Sequence, residues 1–412
     1  MTTARPPSAA SPLRRAIDLR LLVLYGVGVT VGAGIYALVG EVAAVAGYLS
    51  PLSFVLAALV AAPSALSFAE LASRMPTSAG EATWVQAGLR VRGLSLLVGL
   101  MVVFAGIVSA AAIANAFHGY LQPLLDVPRV PTVIVVFVLL AAVAIWGIAE
   151  SVTLAGLVTL AEVGGLLLVL VVALPEVRLD DAAVEGVATI LTPAGWYGAG
   201  VGLILAFYAF LGFEDMVNVA EEVKDVERTL PRGIFLTLAI TTLLYAAIAA
   251  ASVLVVPPAT LAGSGEPLAL VYQTSGGPWP RTINAIAIVA VLNGALIQLI
   301  MASRVLFGLA RQGSLPAMLG HVWPRTRTPV AATLVAAGMA MAFALWLPLA
   351  RLAEIAALTT LCMFALVNLA LIGLRRRGQA PAGAWQAPRW APWAGFACAA
   401  GVLVFDAVRR FG

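Results

Sequence analysis

Long runs of apolar residues follow one another along most of this chain. A helix needs about 20 consecutive apolar residues to cross the hydrocarbon core of a bilayer, and about eleven runs approach or exceed that length. They lie at 19–40, 48–72, 93–120, 131–149, 152–174, 198–219, 232–256, 282–310, 329–348, 352–374 and 391–408. The pattern predicts an all-α integral membrane protein with about eleven transmembrane helices.

Glycine interrupts two of these runs near their middles, about half the chain apart. The first interruption, 26–36, contains Gly28, Gly32 and Gly34, and the second, 207–215, contains Gly212. A broken helix leaves backbone N–H and C=O groups without partners at a depth where lipid supplies none. Paired interruptions in two halves of a chain are typical of the substrate site of a secondary transporter, and we expect such a site here.

Composition supports a membrane protein and argues against other classes. Hydrophobic residues make up 62% of the 412 positions and charged residues 11%, and the mean hydropathy is +1.01. A soluble domain is about half apolar and about a quarter charged. The net charge of +4 comes from Lys and Arg in short loops, as expected for a membrane protein, and no nucleic-acid partner is predicted.

The distribution of arginine among the loops predicts the orientation. Loops rich in Arg or Lys alternate with loops that are poor in them, and the rich ones lie at 14–20, 74–92, 224–232, 311–327 and 375–377. The amino terminus is therefore predicted to be cytoplasmic. Arg409 and Arg410 conflict with this pattern, because an eleventh span places them on the outer side.

The first break offers a site for a carboxylate. The half-helix after Gly34 presents free N–H groups and the positive end of a helix dipole, which favour an anion. The alternative is close helix packing, since Gly28 and Gly32 also form a small-xxx-small motif. The predicted substrate-binding residues of this break are Val31, Gly32, Ala33, Gly34 and Ile35.

The second break offers groups for an ammonium and a gate. Carbonyl groups before Gly212 are free to accept from a substrate ammonium, and Phe207, Phe210 and Phe213 are candidates to close over it. Phe210 is the favoured gate, and contact with lipid or other helices is the alternative for all three rings. Glu214, just past the break, is predicted either to cap the second half-helix or to couple transport to a proton.

Glu162 lies eleven residues into its span, near the middle of the bilayer. An intramembrane carboxylate is costly and indicates a functional site, so we predict proton coupling, with a structural hydrogen bond as the alternative. Ser109 and Gln298 are further polar candidates for the substrate cavity. The outer loop 263–280 fits either a solvated connection or a lid that re-enters toward the site.

No signature of an enzyme is present. The chain contains no His-Glu-x-x-His, Gly-x-Ser-x-Gly or Walker A sequence, and its two cysteines, Cys362 and Cys398, lie in apolar runs. We expect no catalytic residue, no cofactor and no metal site.

The motifs resemble the amino acid–polyamine–organocation superfamily of permeases over nearly the whole chain. Two motifs lie in the first part of the chain, at 28–36 and at 69–76 with Ala79-Gly80-Glu81. The most specific motif is Gly212-Phe213-Glu214, which continues through 220–224 to Arg228 and Pro231-Arg232. Two further motifs are Ser303-Arg304, with Gly308, Arg311, Gly313 and Pro316, and Thr328-Pro329.

This resemblance implies a leucine-transporter-like fold, with an inverted repeat of five plus five helices and discontinuous first and sixth helices. The implied division is a cytoplasmic tail at 1–18, repeats at 19–174 and 198–374, and a loop with an additional transmembrane helix at 375–412. An amino acid carboxylate would sit on the Gly32–Gly34 backbone, and its ammonium would face the carbonyls near Phe207 to Phe210. Proton-coupled relatives carry a Lys in the fifth helix where this chain has Glu162, and many relatives have twelve spans.

We therefore predict a secondary active amino acid permease in the lipid bilayer that works by alternating access. Symport with a proton is favoured over sodium. The alternatives are a transporter of polyamines or other organic cations, an amino acid exchanger, and a membrane amino acid sensor that does not transport. The sensor is disfavoured because no soluble signalling domain is attached, and the sequence specifies no oligomeric state.

Overall fold

The computed structural model describes residues 17–75, 80–146, 152–279, 281–378, 380–381 and 383–411, so most of the predicted tail at 1–18 lies outside it. The described residues are almost entirely helical. The α-helices are α1 Leu19–Ala46, α2 Ser50–Arg74, α3 Gly80–Leu89, α4 Arg92–Leu121, α5 Arg129–Trp146, α6 Val152–Ala173, α7 Asp181–Ala188, α8 Pro193–Ala209, α9 Val226–Val255, α10 Pro258–Ala262, α11 Pro267–Thr274, α12 Thr282–Arg311, α13 Val330–Trp346, α14 Leu349–Arg377 and α15 Ala391–Phe411.

The number of membrane-crossing helices agrees with the prediction. Among the described residues, nine segments are long and apolar enough to cross a membrane. One of them, Gly34–Arg74, combines the second half of α1 with α2. The shorter apolar helix Leu19–Gly32 supplies the first half of α1, so α1 and α2 make two crossings. The shorter apolar helix Val330–Trp346 supplies a further crossing. Counted this way, the described part of the chain accommodates eleven crossings.

Both predicted breaks are present. The backbone of α1 leaves the helical conformation at Gly32, with φ −14° and ψ −136°. The helix α8 ends at Ala209, and Gly212 follows with φ +126°, a conformation that favours glycine. A 3₁₀ helix, Glu214–Glu222, then replaces the expected second half-helix.

The broken helix α1 lies in the interior, in contact with α6, α8, α9 and α12. Small residues allow these close contacts. Gly28 packs directly against Thr159 of α6, and a side chain at Gly26 would overlap Met216 and Thr237. The packing interpretation of the Gly28 motif is therefore correct at that position, although Gly28 also borders the cavity described below.

The connection between α9 and α12 is folded onto the protein instead of forming a solvated loop. Its two short helices, α10 and α11, pack against the second half of α1. Five residues of α11 are buried, namely Pro267, Leu268, Ala269, Val271 and Tyr272. We call the segment Pro258–Thr274 the lid, because it covers the end of α1 that lies away from the arginine-rich loops.

The last helix carries its two terminal arginines into a cluster of charges. Arg409 and Arg410 bind Asp406 at 2.6 and 2.7 Å, and both also contact Glu354 near the start of α14. That start is the end opposite Arg375–Arg377, so the chain does place these arginines away from the arginine-rich face. Paired acids neutralise them, which explains how the exception to the loop pattern is tolerated.

Removing one acid of this cluster is expected to destabilise the protein. In Glu354→Ala, Arg409 and Arg410 lose a partly buried partner, and the expected loss is about 3 kcal/mol of unfolding free energy. Thermal unfolding of the purified protein measures this. The exposed pair of Arg178 and Glu176, 3.7 Å apart, supplies the control, because Arg178→Ala should leave the unfolding temperature unchanged. Equal unfolding temperatures for the two variants would contradict a stabilising role for the cluster.

Candidate functional site

The two breaks lie against each other, backbone to backbone. A Cβ atom on Gly212 would stand 2.7 Å from the carbonyl oxygen of Val29, and one on Gly34 would stand 2.5 Å from the Cα atom of Ala209. Real Cβ atoms do not approach other atoms so closely. Glycine at these two positions is therefore what lets the interrupted parts of α1 and α8 touch.

One hydroxyl group joins the two breaks. The hydroxyl of Tyr245 on α9 lies 2.8 Å from the carbonyl oxygen of Thr30 and 3.0 Å from that of Ala209, within donating distance of both. Tyr245 is fully buried, and its ring lies 5.0 Å from the ring of Phe210. It supplies a protein partner to carbonyl groups that the breaks release. The sequence reasoning missed Tyr245, although a tyrosine within a span was the available signal.

Glu214 caps the second break. The N–H group of Gly212 donates to its Oε2 atom at 2.9 Å, and the residue is buried. This contact is the capping role, one of the two interpretations of Glu214. Glu214 does not line the substrate cavity in this conformation.

A small cavity of about 30 Å³ lies beside the breaks. That volume has room for one or two water molecules but not for an amino acid. Its lining comes from the five helices α1, α4, α6, α8 and α12 and from the segment after α8, and consists of Gly28, Val29, Thr30, Gly32, Gly34, Ser109, Ile113, Glu162, Tyr208, Leu211, Asn293, Gly294, Ile297 and Gln298. The cavity is therefore contracted around the place where the sequence predicts a substrate.

Five of the predicted site residues line this cavity: Gly32, Gly34, Ser109, Glu162 and Gln298. The buried side chains of Val31 and Ile35 do not line it, and the side chain of Ala33 lies outside the described part of the structure. Gly32 has nothing within 4 Å of an added Cβ, so a side chain there would enter open space.

The three predicted phenylalanines are buried elsewhere. Phe207 and Phe213 pack on Phe364 with ring centroids 5.8 and 5.6 Å apart, and Phe210 packs on Tyr245. None of the three lines the cavity in this conformation. The cavity is instead lined by Tyr208, in the last turn of α8, and by Leu211, just after that helix ends.

The helix α12, opposite the breaks, contributes two polar side chains to the cavity. Asn293 and Gln298 on α12 both reach the cavity, together with Gly294 and Ile297. Asn293 and Ile297 are one turn apart, as are Gly294 and Gln298, so the two pairs together form one broad face of α12 toward the cavity. On α4, Ser109 and Ile113 are likewise one turn apart.

Glu162 is buried at the edge of the cavity, with 1% of its surface exposed. Neither of its carboxylate oxygens accepts a hydrogen bond of good geometry. The polar neighbour at the cavity is Asn293. The backbone carbonyl of Glu162 accepts from the hydroxyl of Tyr36 at 2.6 Å, which holds this turn of α6 against α1. A buried carboxylate without a partner is costly, so this site is suited to a proton or a cation.

A second and much larger cavity, which we call the vestibule, has a volume of about 1230 Å³ and lies toward the arginine-rich face. Tyr25, Glu81, Asp215, Met301 and Arg304 are among the residues that line it. Ile297 lines both cavities, so the two are adjacent. Burial raises the pKa of Glu81 on α3. The molecule is thus open on one face and closed by the lid on the other.

These features define a multi-pass membrane transporter built around two broken helices. A model of the amino acid permease family matches residues 19–408, and the chain belongs to that family. The family lies within the superfamily that the sequence motifs resemble, so that resemblance is confirmed.

Two curated transporters illustrate the similarity. The branched-chain amino acid permease BcaP of Bacillus subtilis is 30% identical over 90% of this chain and 83% of its own length. The vacuolar cationic amino acid transporter 4 of Arabidopsis thaliana is 32% identical over 87% of this chain, which spans 62% of that protein.

The methylthioribose transporter of Bacillus subtilis is 27% identical over 92% of this chain and 85% of its own length. A solved Na⁺-coupled sialic acid symporter in an outward-open state superposes with a TM-score of 0.62 at 14% identity, over 98% of this chain and 92% of that one. The predicted leucine-transporter-like fold is confirmed.

The contact between the breaks can be tested by adding one methyl group. Gly34→Ala places a Cβ against the backbone of Ala209, which cannot move aside cheaply, and should cost about 1–3 kcal/mol of unfolding free energy. Gly164→Ala is the matched control, because it adds the same methyl group to a helix where nothing lies within 4 Å. Thermal unfolding measures both. If Gly34→Ala were as stable as Gly164→Ala, the breaks would not be in contact as described.

Proposed function

We propose that this protein carries amino acids across a bacterial inner membrane by alternating access, with the substrate held between the two breaks. The observation that carries the proposal is the cavity at the meeting point of α1 and α8. The substrate carboxylate binds the backbone around Gly32 and Gly34, where a side chain is absent and a half-helix begins. Its ammonium faces the carbonyl groups at the end of α8.

Membership of the amino acid permease family supports the assignment to amino acids. The relatives named above are described as carriers of branched-chain amino acids, of cationic amino acids and of methylthioribose. The substrate side chain meets a mixed surface here, apolar at Ile113, Leu211 and Ile297 and polar at Ser109 and Gln298. A mixed surface of this kind favours a small or medium side chain over a large charged one.

The conformation corresponds to the inward-facing state of the cycle. The vestibule opens toward the arginine-rich loops, and the positive-inside rule assigns those loops and the amino terminus to the cytoplasm. The other states require α1 and α8 to move together against α4 and α12, because α1 and α8 are joined at the breaks by Tyr245. The two repeats at 19–174 and 198–374 supply these moving and fixed helices.

Glu162 couples transport to a proton in this proposal. Its carboxylate lies in the same cavity as Gly32 and Gly34, beside the amide of Asn293, and is paired with no cation among the described residues. A buried carboxylate without a cation is less costly in its neutral form, so a proton enters with the substrate and leaves when water from the vestibule reaches the site. Glu214 remains at its cap on Gly212.

Reconstitution into proteoliposomes tests the substrate class. Radiolabelled neutral and cationic amino acids, putrescine and methylthioribose are offered with and without an inward proton gradient. At least one α-amino acid should accumulate, and the gradient should raise its uptake several-fold. Uptake of putrescine or methylthioribose alone would refute the amino acid assignment. Binding of an amino acid without any uptake or exchange would instead favour a sensor.

Substitution of Glu162 tests the coupling residue. Glu162→Gln keeps the shape of the side chain and removes its proton, so proton-driven uptake should fall at least about tenfold, as expected for losing a residue whose charge change drives the step. Exchange of labelled for unlabelled substrate should persist, and the pH dependence of uptake should flatten. Glu41→Gln is the control, since Glu41 lies in a span but does not line the cavity. An unchanged pH profile in Glu162→Gln would reduce Glu162 to a structural residue.

A further inference from the structure

The lid packs against α1 and α4 at two glycine residues. A Cβ atom on Gly40 of α1 would stand 2.7 Å from the carbonyl oxygen of Leu261, and one on Gly119 of α4 would overlap the carbonyl of Gly265. At both points a lid carbonyl lies directly against a bare helix backbone. Any side chain at Gly40 or Gly119 would hold the lid away from the helix.

A polar contact joins the lid to the same helices. Asn284, in the first turn of α12, is 1% exposed, and its side-chain amide donates to the backbone carbonyl of Tyr120 at 3.2 Å and to the carboxylate of Glu266. Glu266 directly precedes α11. One buried amide therefore holds together α12, the outer end of α4 and the lid. We call Tyr120, Glu266 and Asn284 the latch.

The latch is connected to the region of the site through two tyrosines. The hydroxyl of Tyr120 donates to the carbonyl of Tyr36 at 2.7 Å, and the hydroxyl of Tyr36 donates to the carbonyl of Glu162 at 2.6 Å. Tyr36 and Tyr120 are both fully buried. These bonds tie α1, α4 and α6 together directly below the lid, so displacing the lid disturbs the same helices that surround the cavity.

We propose that the latch is the outer gate of this protein, and that its hydrogen bonds hold the lid closed while the vestibule is open. The inference rests on the alternating access proposed above. A carrier that is open on one face must separate contacts on the other face in order to admit substrate, and the latch is a buried polar contact of the lid with α4 and α12. Losing it shifts the protein toward a state that is open on the lid side.

Cysteine accessibility measures this shift without requiring transport. Cys362 and Cys398 are replaced by Ala, and one reporter is added at a time. Ala287→Cys lies one turn below Asn284 and is fully buried, whereas Met301→Cys lines the vestibule. Labelling rates with a hydrophilic maleimide are measured in nanodiscs, where both faces are accessible.

The latch variants are Glu266→Ala and Asn284→Ala. Each should raise labelling at position 287 and lower labelling at position 301 by about tenfold, the change in a two-state balance expected for losing a hydrogen bond to a charged group. Glu266→Gln keeps an acceptor oxygen and should change both rates less. Combining the two alanine substitutions should add little to Asn284→Ala alone, because Asn284→Ala already removes the bond to Glu266.

The close contact between Gly119 and the lid provides an independent test. Gly119→Ala should raise labelling at position 287, while Gly263→Ala should not, since a Cβ at Gly263 makes only an ordinary contact at 3.7 Å. Unchanged labelling at both reporters in Glu266→Ala, Asn284→Ala and Gly119→Ala would overturn the latch. If labelling is unchanged in these variants but uptake is normal, the latch is wrong and the proposed function stands. If labelling shifts as expected but the protein takes up no amino acid, the latch is supported and the proposed transport function is not.

Discussion

Backbone groups that lose their helical partners inside a membrane must find others, and this requirement governs the centre of the protein. The breaks in α1 and α8 release such groups at Gly32 and at the end of α8. The protein satisfies some of them itself. Tyr245 lies within donating distance of carbonyls from both breaks, and Glu214 accepts from the N–H of Gly212. The stretch at Gly32–Gly34 faces the cavity, where a ligand can supply the remaining partners.

Glycine has two separate uses in this arrangement. At Gly212 the positive φ angle and the nearness of Val29 both exclude a side chain, so that residue forms the turn and the contact at once. At Gly32 there is space for a side chain, and its absence leaves the cavity open. Gly40 and Gly119 repeat the first use at the lid. Close backbone contact thus supports both the centre of the molecule and its closed face.

The sequence predicted the spans and the breaks because both depend on local composition, namely runs of apolar residues and clusters of glycine. It also identified Glu162, since a carboxylate inside a span is conspicuous. It placed Phe207, Phe210 and Phe213 at the substrate, whereas the structure brings Tyr208 and Leu211 to the cavity. Which side of a turning chain faces inward depends on where the helix stops, and α8 stops at Ala209. Tyr245 and the pairing of Arg409 with Glu354 depend on contacts between distant helices, which no local pattern contains.

Some buried acids of this protein are paired with arginine and Glu162 is not, and the difference bears on function. Glu70 binds Arg74 and Arg375, and Glu354 and Asp406 bind Arg409 and Arg410, so these acids are neutralised where they lie and join helices together. A structural carboxylate in a low-dielectric interior requires such a pair or a hydrogen bond of the kind that Glu214 accepts from the N–H of Gly212. Glu162 has no such partner among the described residues, although the chain evidently supplies arginines to other buried acids. A fixed cation beside Glu162 would hold its charge constant through every conformation. In the proposed cycle, a carboxylate without a fixed cation can instead change its protonation each time the cavity opens, which is what coupling to a proton demands.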